Sequence, residues 1–530
     1  LSCAPMKPSV GAGLADALPS LVFSLGLAIW PLAAVTTVAA EADLPGRQIY
    51  DRHCAACHGV EGDGNGPAAV WLYPKPRNFS AGQYKIQSTP AGSLPSDEDL
   101  LRSVTRGLGG SSMPGFAYLS ETERREVVSY VKHLTAYTAP DGRVVRRFEE
   151  AAAAGAPAVP IAVPAEPPLT FDSITRGREL YAKLQCASCH GETGAGDGPS
   201  APTLVDAFGI PVPPRDFNSG AFRGGSTGPD LYTRIAVGIA GTPMVAYPDD
   251  VISPAERWDL VHFIQSLRRK DAEVNDVLTP EEGLIPVVRV TGGLPLDPAD
   301  PEWERVDSVR VPLNPLWPEP MPVAAVAVRA LHDGRTLAVM LQWRDDTFNG
   351  APVRAEDFQD AAAIQFSVNG TFPFLGMGDP ANPVNLWQWR AGWQQTVDGQ
   401  AQDKSTLYPA MHVDLYPDVE HHDLYRTAEA AGNRLAYRSM ASPVEDINAR
   451  GFGSTVTQPP GSQNVHGRGL WRDDAWTVVF HRALESPDAG DVRFQPDRAT
   501  PVAFGIWNGA QRDRNGRKVI SNWFQMVLRP

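Results

Sequence analysis

Residues 54–67 read CAACHGVEGDGNGP, and residues 186–199 read CASCHGETGAGDGP. Each stretch opens on a Cys-x-x-Cys-His run: Cys54, Cys57 and His58 in the first, Cys186, Cys189 and His190 in the second. The residue types in such a run have separate jobs. Two thiols add across the vinyl groups of a haem, and the adjacent histidine is delivered to the iron. A zinc or redox Cys-x-x-Cys is the rival chemistry for one isolated motif. Two motifs, each with its histidine, point to two covalent c-type haems.

Working outward, the surroundings of the two motifs repeat. Pro76-Arg77-Asn78-Phe79 matches Pro214-Arg215-Asp216-Phe217. Met113, in SSMPGF, matches Met244, in GTPMVAY, each a little over fifty residues beyond its histidine. A lone methionine is usually core filler. The matched positions, each beside a proline (Pro114, Pro243), instead make Met113 and Met244 the expected sixth ligands. A thioether is soft and neutral, so it favours ferrous iron and raises the potential. The carbonyls of Pro67 and Pro199 are expected to orient the histidines. Arg77 and Arg215 are expected either to pair with haem propionates or to be solvated. With both axial positions filled, the sites suit electron transfer rather than peroxidase-type catalysis.

Each repeat also carries helix signals. Ser120 and Glu123 form a capping box ahead of Val127, Tyr130, Val131 and Leu134, and Ser253 and Glu256 form another with Pro254 at the first helical position. Ser96-Asp-Glu-Asp99 opens a middle helix. Three small helices around a haem, twice over, is the expected architecture. The repeats span residues 43–135 and 169–270, joined by an Ala/Pro-rich linker over 136–168 and followed by a second linker over 271–284.

The chain has 530 residues, enough for several domains, and a formal net charge of −14, which argues against nucleic acid as a partner. Of five cysteines only Cys3 lies outside the two motifs, so disulfides do not organise the fold. Residues 18–40 form the only long apolar run, followed by A-x-A-like sites. Residues 1–42 are therefore expected to be a signal peptide, with a retained membrane anchor as the alternative. Export to the periplasm agrees with covalent haem attachment, which in bacteria takes place there.

From residue 285 to 530 the texture changes to short β-rich runs between turn signals. Val323–Ala330 and Thr336–Trp343 flank His332-Asp333-Gly334-Arg335 as a hairpin, and Ala363–Val368, Trp476–Phe480, Val502–Trp507 and Trp523–Leu528 continue the pattern. The expected fold class is multidomain: two small all-α haem domains followed by an all-β sandwich. The sandwich has no Cys-x-x-Cys-His, so any cofactor there is non-covalent. Met377 and Lys518 stand in its most distinctive segments, with Trp387, Trp389 and Trp523 as a candidate apolar wall. Taken as residues alone, the methionine reads rather as loop packing, the lysine as a solvated turn residue and the tryptophans as core. His412, His421, His422, His466 and His481 are rival ligands.

On these motifs residues 43–135 and 169–270 resemble class I cytochrome c domains. The segments around Phe374-Leu-Gly-Met377-Gly-Asp-Pro380 and Asp513-Arg-Asn-Gly-Arg-Lys518 resemble the haem b-binding γ subunit of the ethylbenzene dehydrogenase type. Such subunits serve periplasmic molybdenum enzymes of the dimethyl sulfoxide reductase family, including chlorate, selenate and dimethyl sulfide enzymes and nitrite oxidoreductase. The resemblance implies one b-type haem held between Met377 and Lys518. It also implies a molybdopterin-containing catalytic subunit and an iron–sulfur subunit as partners, with a soluble cytochrome or membrane redox complex beyond. The simple γ subunits lack the fused cytochrome domains. The expected function is electron relay without a substrate site. The alternative is a free-standing multihaem carrier with the sandwich as a docking module, and a catalytic haem enzyme that sheds one methionine is a third class.

Overall fold

The computed structural model describes residues 44–156, 158–220, 222–269, 283–319, 322–402, 407–410, 440–496 and 498–530. The expected signal segment, most of the second linker, and His412, His421 and His422 lie outside the described residues.

The first repeat forms α1 (Arg47–His53), α2 (Ala55–His58), α3 (Asp97–Arg106) and α4 (Glu121–Leu134). Ser96 and Ser120 each accept from the backbone three residues on, and Asp99 and Glu123 reach back, so both capping boxes are made. Val127, Val128, Tyr130 and Val131 form the buried stripe of α4. Residues 136–153, read as linker from composition, instead form a small hairpin, β1 (Ala136–Thr138) and β2 (Val144–Arg146), and α5 (Arg147–Ala153). The Arg147 amide donates to Thr135 O, tying this extension to the end of α4. The remaining linker is pinned as well, since the Ile161 amide donates to Ser88 O at 2.8 Å.

The second repeat forms α6 (Phe171–Lys183), α7 (Ala187–His190), α8 (Gly228–Val237) and α9 (Pro254–Ser266). Capping boxes open three of these helices: Thr170 with Ser173, Thr227 with Asp230, and Ser253 with Glu256. Its core gathers Tyr181, Phe217, Tyr232, Trp258, Leu260 and Phe263.

Among the described residues the last region is mainly β, apart from α10 (Ala391–Val397) and short helical turns. Its main strands are β3 (Leu284–Arg289), β4 (Val309–Pro312), β5 (Asn314–Pro315), β6 (Ala325–His332), β7 (Thr336–Arg344), β8 (Ala361–Ser367), β9 (Val384–Arg390), β10 (Val444–Ala449), β11 (Val456–Thr457), β12 (His466–Arg472), β13 (Ala475–Ala483), β14 (Thr500–Trp507), β15 (Val519–Ile520) and β16 (Phe524–Leu528). The expected hairpin is β6–β7, its turn closed by Asp333 Oδ1 accepting from the Arg335 and Thr336 amides.

The hydrogen-bonded order is β11-β10-β9-β8-β14-β16-β3-β6-β7-β13-β12. The ladder folds over itself, because Trp389 of β9 meets Trp476 of β13 edge-on at 4.7 Å although the two strands are far apart in this order. That contact, with Trp343, Phe366, Trp387 and Phe494, is the core between the two layers. Aromatic pairs of this kind add about 0.5–1.5 kcal/mol each beyond the area they bury.

Candidate haem sites

In both cytochrome domains the five-residue motif forms one turn of helix after a longer helix, so the histidine emerges beside its two cysteines. None of the four cysteines is in a disulfide. His58 Nδ1 donates to Arg77 O at 3.0 Å, and His190 Nδ1 to Arg215 O at 3.4 Å. The expectation that the Pro67 and Pro199 carbonyls do this is corrected. The Gly66–Ala68 segment wraps the motif helix instead, with the Gly66 amide on Cys57 O and the Ala68 amide on Ala56 O.

The repeated Pro-Arg-Asx-Phe element therefore has two jobs at each site. Its arginine carbonyl orients the imidazole, and its phenylalanine stacks on it: Phe79 on His58 at 4.6 Å, Phe217 on His190 at 4.4 Å. Burial lowers the pKa of both histidines, against the raising effect of the carbonyl bond. A neutral ring that donates through Nδ1 leaves the Nε2 lone pair available to a metal.

One continuous cavity of about 530 Å³ is lined by both Cys-x-x-Cys-His motifs and by Met113 and Met244. Its volume is mostly apolar-walled, and Arg77 and Arg215 sit in that wall, so the solvated reading of these arginines is corrected. Arg77 Nη2 is buried without a hydrogen-bond partner. A buried, unpartnered guanidinium nitrogen facing an apolar cavity fits a haem propionate. The residues present thus fit a c-type haem in each domain.

Phe374 and Leu375 of the sandwich close part of the same cavity. Three residues beyond Phe374, Met377 has φ 70°, a left-handed conformation that costs a long side chain about 1–3 kcal/mol. It is over-determined by the Met377 amide on Leu375 O and the Gly451 amide on Met377 O, both 2.8 Å. Its side chain packs with Val384, Ala449, Ala503 and Trp523.

Ala503 begins a face of unusual composition. Residues of one sheet face alternate along a strand, and the β8–β14 register places Gln365, Ala363 and Ala361 beside Ala503, Gly505 and Trp507. Lys518 lies over the far end of this row: its Cδ would meet a methyl group on Gly505 at 3.6 Å, and its Nζ lies 4.8 Å from the Trp507 ring centre. Met377 and Lys518 thus flank one small-residue face that a flat macrocycle can approach. Burial lowers the Lys518 pKa to about 8, against an opposing pull from Asp513. A depressed pKa favours the neutral amine, the only form that can bind iron.

Of the three tryptophans expected to wall this site, only Trp523 does so. Trp387 and Trp389 point the other way, into the sandwich core, because they occupy the alternate positions of β9. Trp507 takes the place composition had given them. His466 and His481 face each other across β12 and β13, at the opposite end of the strand order from β8 and β14.

Several side-chain contacts join this region to the first cytochrome domain, among them Trp71 with Phe452 and Tyr73 with Trp317, and nothing in the sequence signalled them. Tyr118 stacks on Phe372 at 4.5 Å. Asn314 and Asn522 accept from the Gly110 and Gly115 amides, on either side of Met113, at 2.9 and 3.1 Å.

Residues 300–519 match the ethylbenzene dehydrogenase family, and residues 44–135 and 174–268 match the cytochrome c family. The chain joins two cytochrome c domains to an ethylbenzene dehydrogenase-type domain. Both domain types are haem-binding, one for haem c and the other for haem b. Among curated relatives, the chlorate reductase subunit gamma of Ideonella dechloratans is 28% identical over 256 residues, covering 46% of this chain and 84% of that protein. The dimethylsulfide dehydrogenase subunit gamma of Rhodovulum sulfidophilum is 28% identical over 274 residues, covering 48% and 84%. The respiratory nitrate reductase heme subunit ORF7 of Haloferax mediterranei is 28% identical over 243 residues, covering 44% and 69%. A chain of the reducing HAO-like protein complex of Kuenenia stuttgartiensis is 39% identical, with a TM-score of 0.39, covering 42% of this chain and 96% of that one.

Proposed function

We propose that this chain is the exported electron-transfer subunit of a molybdenum and iron–sulfur oxidoreductase, carrying two covalent haem c groups and one haem b. The names of the relatives, gamma and heme subunits of oxidoreductases, support relay between a catalytic subunit and a redox partner. The observation that carries the reading is the continuity of the sites. Both motifs line one cavity, and the segment leading into Met377 closes part of it.

When bound, the haems supply one-electron redox centres. The chain's own residues do the rest. Cys54 and Cys57, and Cys186 and Cys189, would anchor the c haems, with His58 and Met113, and His190 and Met244, as the residues that would bind iron. Met377 and Lys518 would hold the b haem, against the face that carries Ala363, Ala503 and Gly505. Arg77 and the apolar walls exclude water and neutralise propionate charge. The b haem would exchange electrons with the iron–sulfur partner, and the c haems with a soluble cytochrome or a membrane complex in the periplasm.

A pyridine haemochrome assay on the purified chain should give two haem c for each haem b. Haem c alone would remove the b site. Isolation from the native host should bring down molybdenum and iron–sulfur absorbance, and recovery as a lone monomer would remove the subunit reading.

A further inference from the structure

The two cytochrome domains meet through equivalent parts. The loops that present the methionines share their internal hydrogen bonds. The Leu108 amide donates to Met113 O at 3.1 Å, and the Ile239 amide to Met244 O at 3.0 Å. Ser111 Oγ accepts from the Met113 amide, and Thr242 Oγ1 from the Met244 amide. Three residues before each methionine stands a left-handed glycine, Gly110 (φ 65°) and Gly241 (φ 70°).

At both glycines a close neighbour is the arginine of the other domain. A methyl group on Gly110 would run into the Arg215 guanidinium. One on Gly241 would lie 3.6 Å from Arg77 Nη1, with Gln83 Oε1 nearer still at 2.7 Å. Arg77 also lies over the ring of Phe208, in the second domain, at 5.8 Å. These are the same two residues whose carbonyls accept from His58 and His190.

We propose that Arg77 and Arg215 are exchanged positioning residues. Through its carbonyl each orients its own domain's axial histidine, and through its guanidinium each supports the loop that presents the other domain's axial methionine. The proposal rests on the haem c reading above. At Gly110 the absent Cβ lets the planar Arg215 guanidinium lie close against the loop backbone, whereas at Gly241 Arg77 is at ordinary contact distance and Gln83 is the nearer neighbour. The two arginines sit among further cations. Lys85 and Arg223 lie within electrostatic reach of this pair, and Asp206 lies 3.9 Å from Lys85. Burial lowers Arg215 to about 10 and Lys85 to about 8, as expected of cations crowded away from water. Each haem's ligand set therefore depends on the neighbouring domain, which couples the two centres without any ligand being shared.

The test uses the full-length protein with haem bound. In the reduced state each axial methionine gives a methyl NMR resonance shifted by its own haem, assigned with Met113→His and Met244→His. Arg77→Leu should shift or abolish the Met244 resonance and lower the potential of the second-domain haem. Arg215→Leu should do the same to Met113 and the first-domain haem. Changes confined to the haem of the substituted domain, or no change at either methionine, would overturn the proposal. If a leucine variant does not accumulate with both haems, Arg77→Gln and Arg215→Gln, which keep a planar amide, are read the same way. Absence of haem c from the unsubstituted protein would instead remove the functional reading.

Discussion

In each cytochrome domain the two cysteines and the histidine fall within five consecutive residues, and the methionine follows in the same domain. In the sandwich, Met377 and Lys518 stand 141 residues apart in sequence and come to one face only through the paired strands β8 and β14. The two kinds of site differ accordingly in what maintains them. A covalent haem stays attached when an axial ligand is lost, whereas a haem held by two axial bonds and an apolar face leaves when either bond fails. The first kind of site tolerates imperfect packing, and the second depends on the whole sandwich being folded.

Met377→Ala and Lys518→Ala break this contrast most directly. Each should abolish or severely reduce the haem b signal in a pyridine haemochrome assay while leaving two haem c per chain. Equal loss of both haem types would show that the sites are not independent.

Acidification should separate the sites more gradually. With the Lys518 pKa lowered to about 8, the amine is mostly neutral above that value and available to iron. Below it a proton competes, so affinity for haemin in protein stripped of haem b should fall about tenfold per pH unit. The covalent haems should remain attached throughout the titration. A pH-independent haemin affinity would remove Lys518 as the ligand.

The smallest effect distinguishes the two cytochrome domains from one another. Asn522→Ala leaves the buried Gly115 amide without its acceptor, a cost of about 1–3 kcal/mol. The Met113 loop should loosen, and imidazole should displace Met113 from the ferric haem at least several-fold more readily. Displacement of Met244 should be unchanged, because its loop is held within the cytochrome pair. Equal sensitivity at both haems would show that the sandwich does not act on Met113 alone.

Much of this was readable in the chain. The Cys-x-x-Cys-His runs, the matched methionines and the Ser–Glu capping boxes are local patterns, so their geometry follows from a few neighbouring residues. The repeated Pro-Arg-Asx-Phe element was visible too, but its role was not. Which carbonyl reaches an imidazole depends on how two distant loops cross, and Pro67 was as reasonable an acceptor on paper as Arg77. The residues at 136–153 were hidden for a related reason, since an alanine- and charge-rich composition does not show the tie from Arg147 back to Thr135. Trp387 and Trp389 were misplaced because alternation tells that they share a face, not which face the sandwich closes over.

The sequence by itself determined the two Cys-x-x-Cys-His motifs, their matched methionines and the division into an α-helical pair and a β domain. These depend on spacing along a chain whose local geometry is set by helix periodicity and turn chemistry. Tertiary structure alone decided that Met377 and Lys518 flank one alanine- and glycine-lined face, that Asn314 and Asn522 hold the Met113 loop, and that Arg77 and Arg215 are exchanged between domains. Those contacts join residues tens to hundreds of positions apart, and only the packing of one layer or domain against another brings them within bonding distance.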